Sequence, residues 1–555
     1  MRNHGEYRGY LVAIDEECFD KIKALLSKEE QEDFGNRYRW HSARGKVKVD
    51  ISTLSSDSLN KLLKFLKDKA NGGDRSARIS ENLVTQWIDI RQSPDGVAVT
   101  KLENIPAAMK AYLEKNAPSR WVFQVLEDGN TVPWFVHDVN YSPPSQYCQA
   151  HVAIELCALN ATGGSRSRES SDSGQKSESI SIRTEDFRKG TVSEIMKNEG
   201  LFIETQARLD SYKVELDKYF QLSDKDGFQM SVSGKNFLLG GWYSNGYRGV
   251  EKSGRPAKMV IDPPEVDKAS SAVHAEFWDK SEEKVWQIPV HPIWTMFDLT
   301  EHENYRVNVN NAEPYIYDTA VGDKLVLPKD IKDFIEVLVE QSRNKFVDIV
   351  SGKEGGTIIL FEGPPGTGKT LSAEVYSEVM KRPLYKVQSS QLGTDPKTVE
   401  KQLGEVLGRA ERWGAILLID EADVYVHERG SDINQNAIVG VFLRVLEYYR
   451  GVLFMTTNRG TTIDDAIVSR LTARFQYENP SPDEQAELWR ILSEQNGIVI
   501  TKDEIMKVLS RHDHLSGRDI KNLLKMAYVI SLRDGKMEIT AEMVGFVAKF
   551  QARTK

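Results

Sequence analysis

Cysteine is scarce in this chain, with three in 555 residues, at Cys18, Cys148 and Cys157. That excludes a disulfide scaffold and a four-cysteine zinc site, and it fits a reducing, cytosolic compartment. Long apolar runs are also missing. No stretch approaches the roughly 20 apolar residues that a membrane helix needs, and the opening MRNHGEYRGY lacks the apolar core of a signal peptide. No internal repeat is present, and no H-E-x-x-H occurs, so a fused zinc protease of that type is not expected. Charge of one sign is lacking as well. Lys plus Arg is 73 and Asp plus Glu is 82, so the formal charge is −9. That mild acidity argues against a whole-surface nucleic-acid binder. The chain is expected to be soluble and cytoplasmic, with no membrane partner.

What is present divides the chain into five segments. Residues 1–160 carry two amphipathic helical stretches, CFDKIKALL and LNKLLKFL, and strands around Asp128-Gly129-Asn130, so they are expected to form an N-terminal α+β domain. Residues 161–195 are read as a flexible linker. Their core, ATGGSRSRESSDSGQKSES, has no large apolar residue to offset its ordering entropy. Residues 196–322 are rich in aromatics, Gly and Pro, with strands near Phe228–Tyr243, Lys258–Ile261 and Tyr305–Val309, and form a β-rich accessory domain. Its tryptophans are expected in the core, not as a base-stacking platform, because Arg and Lys do not cluster around them. From 323 to 481 strands and helices alternate, the pattern of a parallel α/β sheet. Residues 482–555 are helical throughout.

The chemistry concentrates in the α/β segment. Gly363-Pro364-Pro365-Gly366-Thr367-Gly368-Lys369-Thr370 fits G-x-x-x-x-G-K-[ST] in full, between the buried-strand run TIILF and a helix opening at Leu371. Glycines let backbone N–H groups turn inward around phosphates. Lys369 can reach the β- and γ-phosphates, Thr370 offers a hydroxyl to Mg²⁺, and the helix N-terminus adds partial positive charge. About fifty residues on, AILLI ends in Asp420-Glu421. Asp420 suits the Mg²⁺ shell and Glu421 the activation of water. A third buried run, VLFMT, ends in Thr457-Asn458, where an amide can sit between γ-phosphate and water. Cys148, His151 and Cys157 lie close in sequence, but Ala150–Leu159 alternates like a strand and no fourth ligand is near, so a metal site is not expected. His512 and His514 are expected to be solvated loop residues.

These motifs resemble the AAA+ ATPases over about Leu325–Gln551, and within them a group of single-ring members known mostly from fungi and bacteria. That group's run is matched by LGTDPKTVEKQLGEVLGRAERWGAILLIDEADV, and its lead-in by Val307–Pro328. The resemblance implies an α/β fold: a P-loop NTPase module with a parallel sheet and a C-terminal helical lid, preceded by α+β and β-rich domains. It implies a nucleotide site of Gly363 to Leu371 with Asp420 and Arg518, the last as sensor 2. It also implies Mg²⁺ on Thr370 and Asp420, and catalysis by Glu421, Asn458 as sensor 1, and Arg470 as the arginine finger. Arg474 would be a second finger or its substitute. ATP and Mg²⁺ are the implied cofactors. The implied assembly is a homo-oligomeric ring, usually a hexamer, acting on a protein recognised through residues 1–322. The alternative is a nucleic-acid ATPase of the loader or helicase class, which the net acidity and the lack of a basic, aromatic-interleaved stripe disfavour. A nucleotide-gated scaffold that barely hydrolyses is disfavoured by Glu421 and Arg470. Threading members carry an aromatic–hydrophobic–Gly pore loop. Here the stretch reads SSQLGTDPKT, with Leu392-Gly393 the nearest to a grip, so threading of the usual kind is not expected. Tyr425 and His427 are expected at a helix end, facing solvent or a pore.

Overall fold

The computed structural model describes residues 10–28, 30–31, 41–42, 46–72, 74–93, 95–126, 129–145, 148–159, 175–238, 248–262, 274–275, 286–341, 356–430, 432–458, 463–512, 514–533, 535 and 538–550. Its N-terminal strands are β1 (Leu11–Asp15), β2 (His41–Ser42) and β3 (Lys46–Asp50), in a small antiparallel sheet of order β1-β3-β2. A larger antiparallel sheet contains β4 (Trp121–Val125), β5 (Thr131–Ser142), β6 (His151–Leu159), β7 (Gln175–Arg183) and β8 (Leu201–Ile203), in order β7-β6-β5-β4-β8. Helices Ser56–Asn71, Arg75–Gln92 and Ile105–Asn116 pack Leu62, Trp87 and Tyr112 into one core with Trp134 and Ile154.

Much of the segment expected to be linker is not linker. Residues 160–174 lie outside the described residues, but β7 pairs with β6 along its whole length, from Gln175 opposite Leu159 to Arg183 opposite His151. Beyond it, Ile182, Val192, Ile195 and Met196 enter the same core. The polar composition of QKSESISIR hides its alternation. An open sheet edge satisfies the backbone whatever the side chains are, so edge pairing orders a sequence that could not fold alone.

The accessory domain follows the helix Gln206–Leu222. Strands β9 (Gln229–Leu238), β10 (Arg248–Ile261), β13 (Ile293–Asp298) and β14 (Asn304–Asn308) pair in a closed antiparallel ring, β9-β10-β13-β14-β9, and β15 (Ala312–Pro314) adds to the start of β9. The short pair β11 (His274–Ala275) and β12 (Trp286–Gln287) stands apart. Closure removes the sheet edges. Met230, Val232, Trp294, Met296 and Val307 fill the interior, so Trp294 is a packing residue as expected.

The C-terminal half is an α/β module with a helical lid. Its sheet is all parallel, in order β17-β18-β19-β16-β20: β16 (Thr357–Glu362), β17 (Leu384–Gln388), β18 (Ile416–Asp420), β19 (Val452–Thr457) and β20 (Ala473–Gln476). Its central strands β16, β18 and β19 read as continuous apolar runs because both faces are covered. Leu417, Ile419, Leu453 and Met455 meet Leu403, Val439 and Phe442 on one side, and Ile416, Leu418 and Phe454 meet Tyr376 and Ile335 on the other. Chain order reverses around β16, which opens a crevice at the strands' carboxyl ends. Helices Pro482–Gln495, Lys502–Arg511, Gly517–Arg533 and Ala541–Ala548 form the lid around Trp489, Leu523 and Val544. Among the described residues no helix is long and apolar enough to cross a membrane.

Trp489 is fully buried at the lid's centre. Trp489→Ala should lower lid stability by about 3–5 kcal/mol, read as an earlier unfolding transition in denaturant. A shift below about 1 kcal/mol would mean that the lid does not pack around this residue.

Candidate active site

Strand β16 delivers the chain to the centre of the crevice, and the loop after it has to turn sharply. Gly363 adopts φ 145° and lies so close to Tyr477 that a Cβ there would sit 2.1 Å from the Tyr477 carbonyl oxygen. Gly366, at φ 90°, is covered by the lid, where a Cβ would meet Ser516 Oγ at 2.8 Å. The helix Lys369–Val379 starts directly after Gly368. Its free N–H groups and positive end therefore face the loop's interior, a cradle suited to phosphates.

Lys369 is buried, and its Nζ donates to the carbonyls of Gly363 and Pro364, both at 2.7 Å. Burial pulls the ammonium below the usual lysine range. The charges of Asp420 and Asp423 oppose that pull and Arg518 adds to it. A phosphate entering the cradle would supply the anionic partner that the two carbonyls only approximate. Thr370 Oγ1 donates to Asp420 Oδ1 at 3.0 Å. A hydroxyl and a carboxylate side by side form a hard oxygen donor set, which suits Mg²⁺. Thr367 Oγ1 closes the loop onto the Pro364 carbonyl, while Leu371 is exposed. Pro365 is half-buried within the same loop.

Asp420 ends β18. Its Oδ1 also accepts from Thr456 Oγ1 at 2.6 Å, and its Oδ2 pairs with Lys386 Nζ at 3.1 Å. Burial pushes the carboxyl up, but the hydrogen bonds from Thr456, Lys386 and Thr370 and the Lys386 charge outweigh it and hold the group below the usual carboxylate range. Glu421 then turns into the left-handed region at φ 57°, with its N–H donating to Thr456 Oγ1 at 3.0 Å. A non-glycine residue pays a conformational cost there. That turn separates the exposed Glu421 from the strand that carries Asp420. Thr457 is buried and donates to Asp423 Oδ1 at 2.5 Å, leaving Asn458 exposed at the strand's end.

The arginines divide. Arg518 is exposed on the lid. Its backbone N–H donates to the Gly366 carbonyl at 3.3 Å, and its charge is felt by Lys369. Arg470 donates to the Ala466 carbonyl at 3.1 Å and lies 3.6 Å from Glu447, so its described contacts are away from its own P-loop. Arg474 does not have the free head that a second finger requires. Nε and Nη2 bind Glu362 Oε2 at 2.7 and 2.6 Å, and Glu362 is fully buried just before the P-loop. Leu392, the nearest residue to a pore grip in the sequence, is 1% exposed and belongs to the core. Tyr425 is likewise in the core and not on a surface, stacked on Phe442 with its hydroxyl donating to the Ser389 carbonyl. Cys148 Sγ lies 3.8 Å from His151 Nδ1, whereas Cys157 is buried. Thr456, Asp423, Lys386 and Glu362 were not singled out from the sequence. Only Thr456 had a signal, as the polar residue that closes the apolar run VLFMT; the register that pairs Ile419 with Met455 sets it beside Asp420.

Residues 359–479 match the family model of the ATPase family associated with various cellular activities (AAA). An ATPase family AAA domain-containing protein FIGL1 from Arabidopsis thaliana is 29% identical over 201 residues, which is 34% of this chain and 29% of that protein. An ATP-dependent zinc metalloprotease FtsH from Cyanidium caldarium is 27% identical over 213 residues, 34% of this chain and 33% of that one. A 26S proteasome regulatory subunit 8 homolog from Saccharomyces cerevisiae is 27% identical over 270 residues, 43% of this chain and 64% of that one. The chain thus spans less than two thirds of each of these relatives.

The pairing of Arg474 with a buried carboxylate separates the two arginines experimentally. Arg474→Ala strands Glu362 and should lower the unfolding free energy by about 1–3 kcal/mol. Arg470→Ala should stay within about 0.5 kcal/mol of the parent. Equal costs in chemical denaturation would contradict the assignment of Arg474 to structure.

Proposed function

We propose, from the AAA ATPase domain that this chain carries, that it hydrolyses ATP at the subunit interfaces of a ring. The work of hydrolysis remodels a protein or protein complex that residues 1–322 recognise. The observation that carries this reading is the meeting of Thr370 and Asp420, 3.0 Å apart, beside a glycine-lined loop whose lysine is buried.

In this reading the site residues divide the work. The loop N–H groups and Lys369 bind the β- and γ-phosphates. Thr370 and Asp420 would hold Mg²⁺, which when bound neutralises charge on those phosphates. Asn458 and Glu421 address the water. Glu421 accepts its proton as the water oxygen bonds to the γ-phosphorus, and the bond from that phosphorus to the β–γ bridging oxygen breaks, giving ADP and phosphate. Arg518 adds positive charge from the lid. Arg470 serves the site of a neighbouring copy, since its own contacts lie elsewhere. What supports a protein target, and not a nucleic acid, is the net charge of −9 together with relatives named as a metalloprotease and a proteasome subunit. With Leu392 buried, remodelling without an aromatic pore grip is the consistent form.

Two substitutions separate binding from turnover. Lys369→Ala should lose tight binding of a fluorescent ATP analogue, because it removes the buried cation of the loop. Glu421→Gln should bind that analogue as the parent does, yet hydrolyse ATP about 10²–10⁴ times more slowly, since an amide is a poor base. Near-parental turnover by Glu421→Gln would show that the base lies elsewhere.

A further inference from the structure

Lys386 has no role in the mechanism above, yet its ammonium sits on the site's key carboxylate. It lies on β17, an edge strand of the parallel sheet, in register with Leu418. Residues in register share a face, so Lys386 is the diagonal neighbour of Asp420, two residues further along β18. Nζ reaches Asp420 Oδ2 at 3.1 Å. The other oxygen, Oδ1, is held by the hydroxyls of Thr370 and Thr456. Both oxygens are therefore engaged, one by neutral donors and one by a full positive charge.

The lysine is also braced from outside the sheet. The next residue inward, Tyr385, packs edge-on against Phe297 of the accessory domain, with ring centroids 5.6 Å apart. The imidazole of His302, in the turn before β14, hydrogen-bonds to the backbone of Lys386. The same ring lies 3.3 Å from Gln391 Nε2. A lysine on an edge strand ordinarily keeps its head in water. Here the side chain is 36% exposed and its head is held on a carboxylate, and His302 of the accessory domain reaches its backbone.

We propose that Lys386 is a positioning residue that holds Asp420 and competes with the divalent cation for it. Its charge already engages the carboxylate at Oδ2, and Mg²⁺ held by Thr370 and Asp420 would have to compete with it. The inference rests on the reading of Thr370 and Asp420 as the Mg²⁺ ligands. An ordinary surface ion pair would contribute little to anything. A fixed monovalent charge beside a divalent site weakens that site, because like charges repel across a partly desolvated gap.

The test is a Mg²⁺ titration of fluorescent ATP-analogue binding, carried out with the full chain in the slow Glu421→Gln background. Lys386→Met should lower the Mg²⁺ concentration for half-saturation by about three- to tenfold. Lys386→Arg keeps the charge and should stay within about twofold of the parent, as should metal-free nucleotide affinity in both variants. Lys386→Gln, which keeps polarity without charge, should behave as Met does and serves if Met disturbs folding. The proposal is overturned if Met and Gln leave half-saturation unchanged or raise it, or if Arg lowers it as much as they do. Binding without any Mg²⁺ dependence, in the parent background as well, would overturn the ligand reading and this inference with it. A dependence that ignores Lys386 would overturn this inference alone.

Discussion

The carboxylate of Asp420 is where the module is tied together. Thr370 comes to it from the P-loop helix, Thr456 from β19 and Lys386 from β17. These contacts exist only because the parallel register sets Gln388 beside Asp420 on one side and Ile419 beside Met455 on the other. A slip of one residue would turn Asp420 to the opposite face and separate it from all three. The two-sided apolar packing of β18 and β19 prevents that slip. Hydrophobic burial, which is non-directional, thus secures a polar geometry that must hold to within a few tenths of an ångström.

The accessory domain is docked on the same framework through polar anchors. Asp262, at the end of β10, accepts from Arg412 Nη2 and Trp413 Nε1 at 2.5 and 3.0 Å. Gly227 packs so tightly on Trp413 that a Cβ would overlap its Cα at 2.3 Å. Glu378 accepts from Lys258, Tyr315 and the Asp318 N–H at 2.8, 2.7 and 3.0 Å. Glu378 lies on the helix that begins at the P-loop, and Trp413 immediately precedes β18 by way of Gly414 and Ala415. The domain therefore grips the elements that present Lys369 and Asp420 from behind. Through His302 it also reaches β17. A shift of either body is transmitted along short, packed segments.

Much of this was legible in the sequence wherever one local stretch carried the whole signal. TIILF, AILLI and VLFMT announce buried parallel strands, and the polar residues that end them mark the crevice. The lid was equally legible from its apolar periodicity. What escaped was set by distant contacts. Arg474 looked like a free cation because Glu362, its partner, is 112 residues away in sequence. Tyr425 looked like a surface residue because neither Phe442 nor the Ser389 carbonyl, which bury it, is its neighbour in sequence. β7 looked like linker because the nine pairings that order it belong to the edge of β6. Lys386 carried no local signal, since its meaning lies in the carboxylate across the sheet.

In the proposed mechanism one chain holds an incomplete site. Lys369, Thr370, Asp420, Glu421 and Asn458 gather at the crevice, while Arg470 engages Ala466 and Glu447. An arginine finger contributes on the order of 10³–10⁵ in rate, so a lone chain should bind ATP and barely hydrolyse it. The measurement is ATP turnover per chain across a dilution series, with the mass of the species in solution determined at each concentration. Turnover should rise steeply with assembly and level off when a closed oligomer is complete. Full turnover by a species of monomer mass would contradict that mechanism.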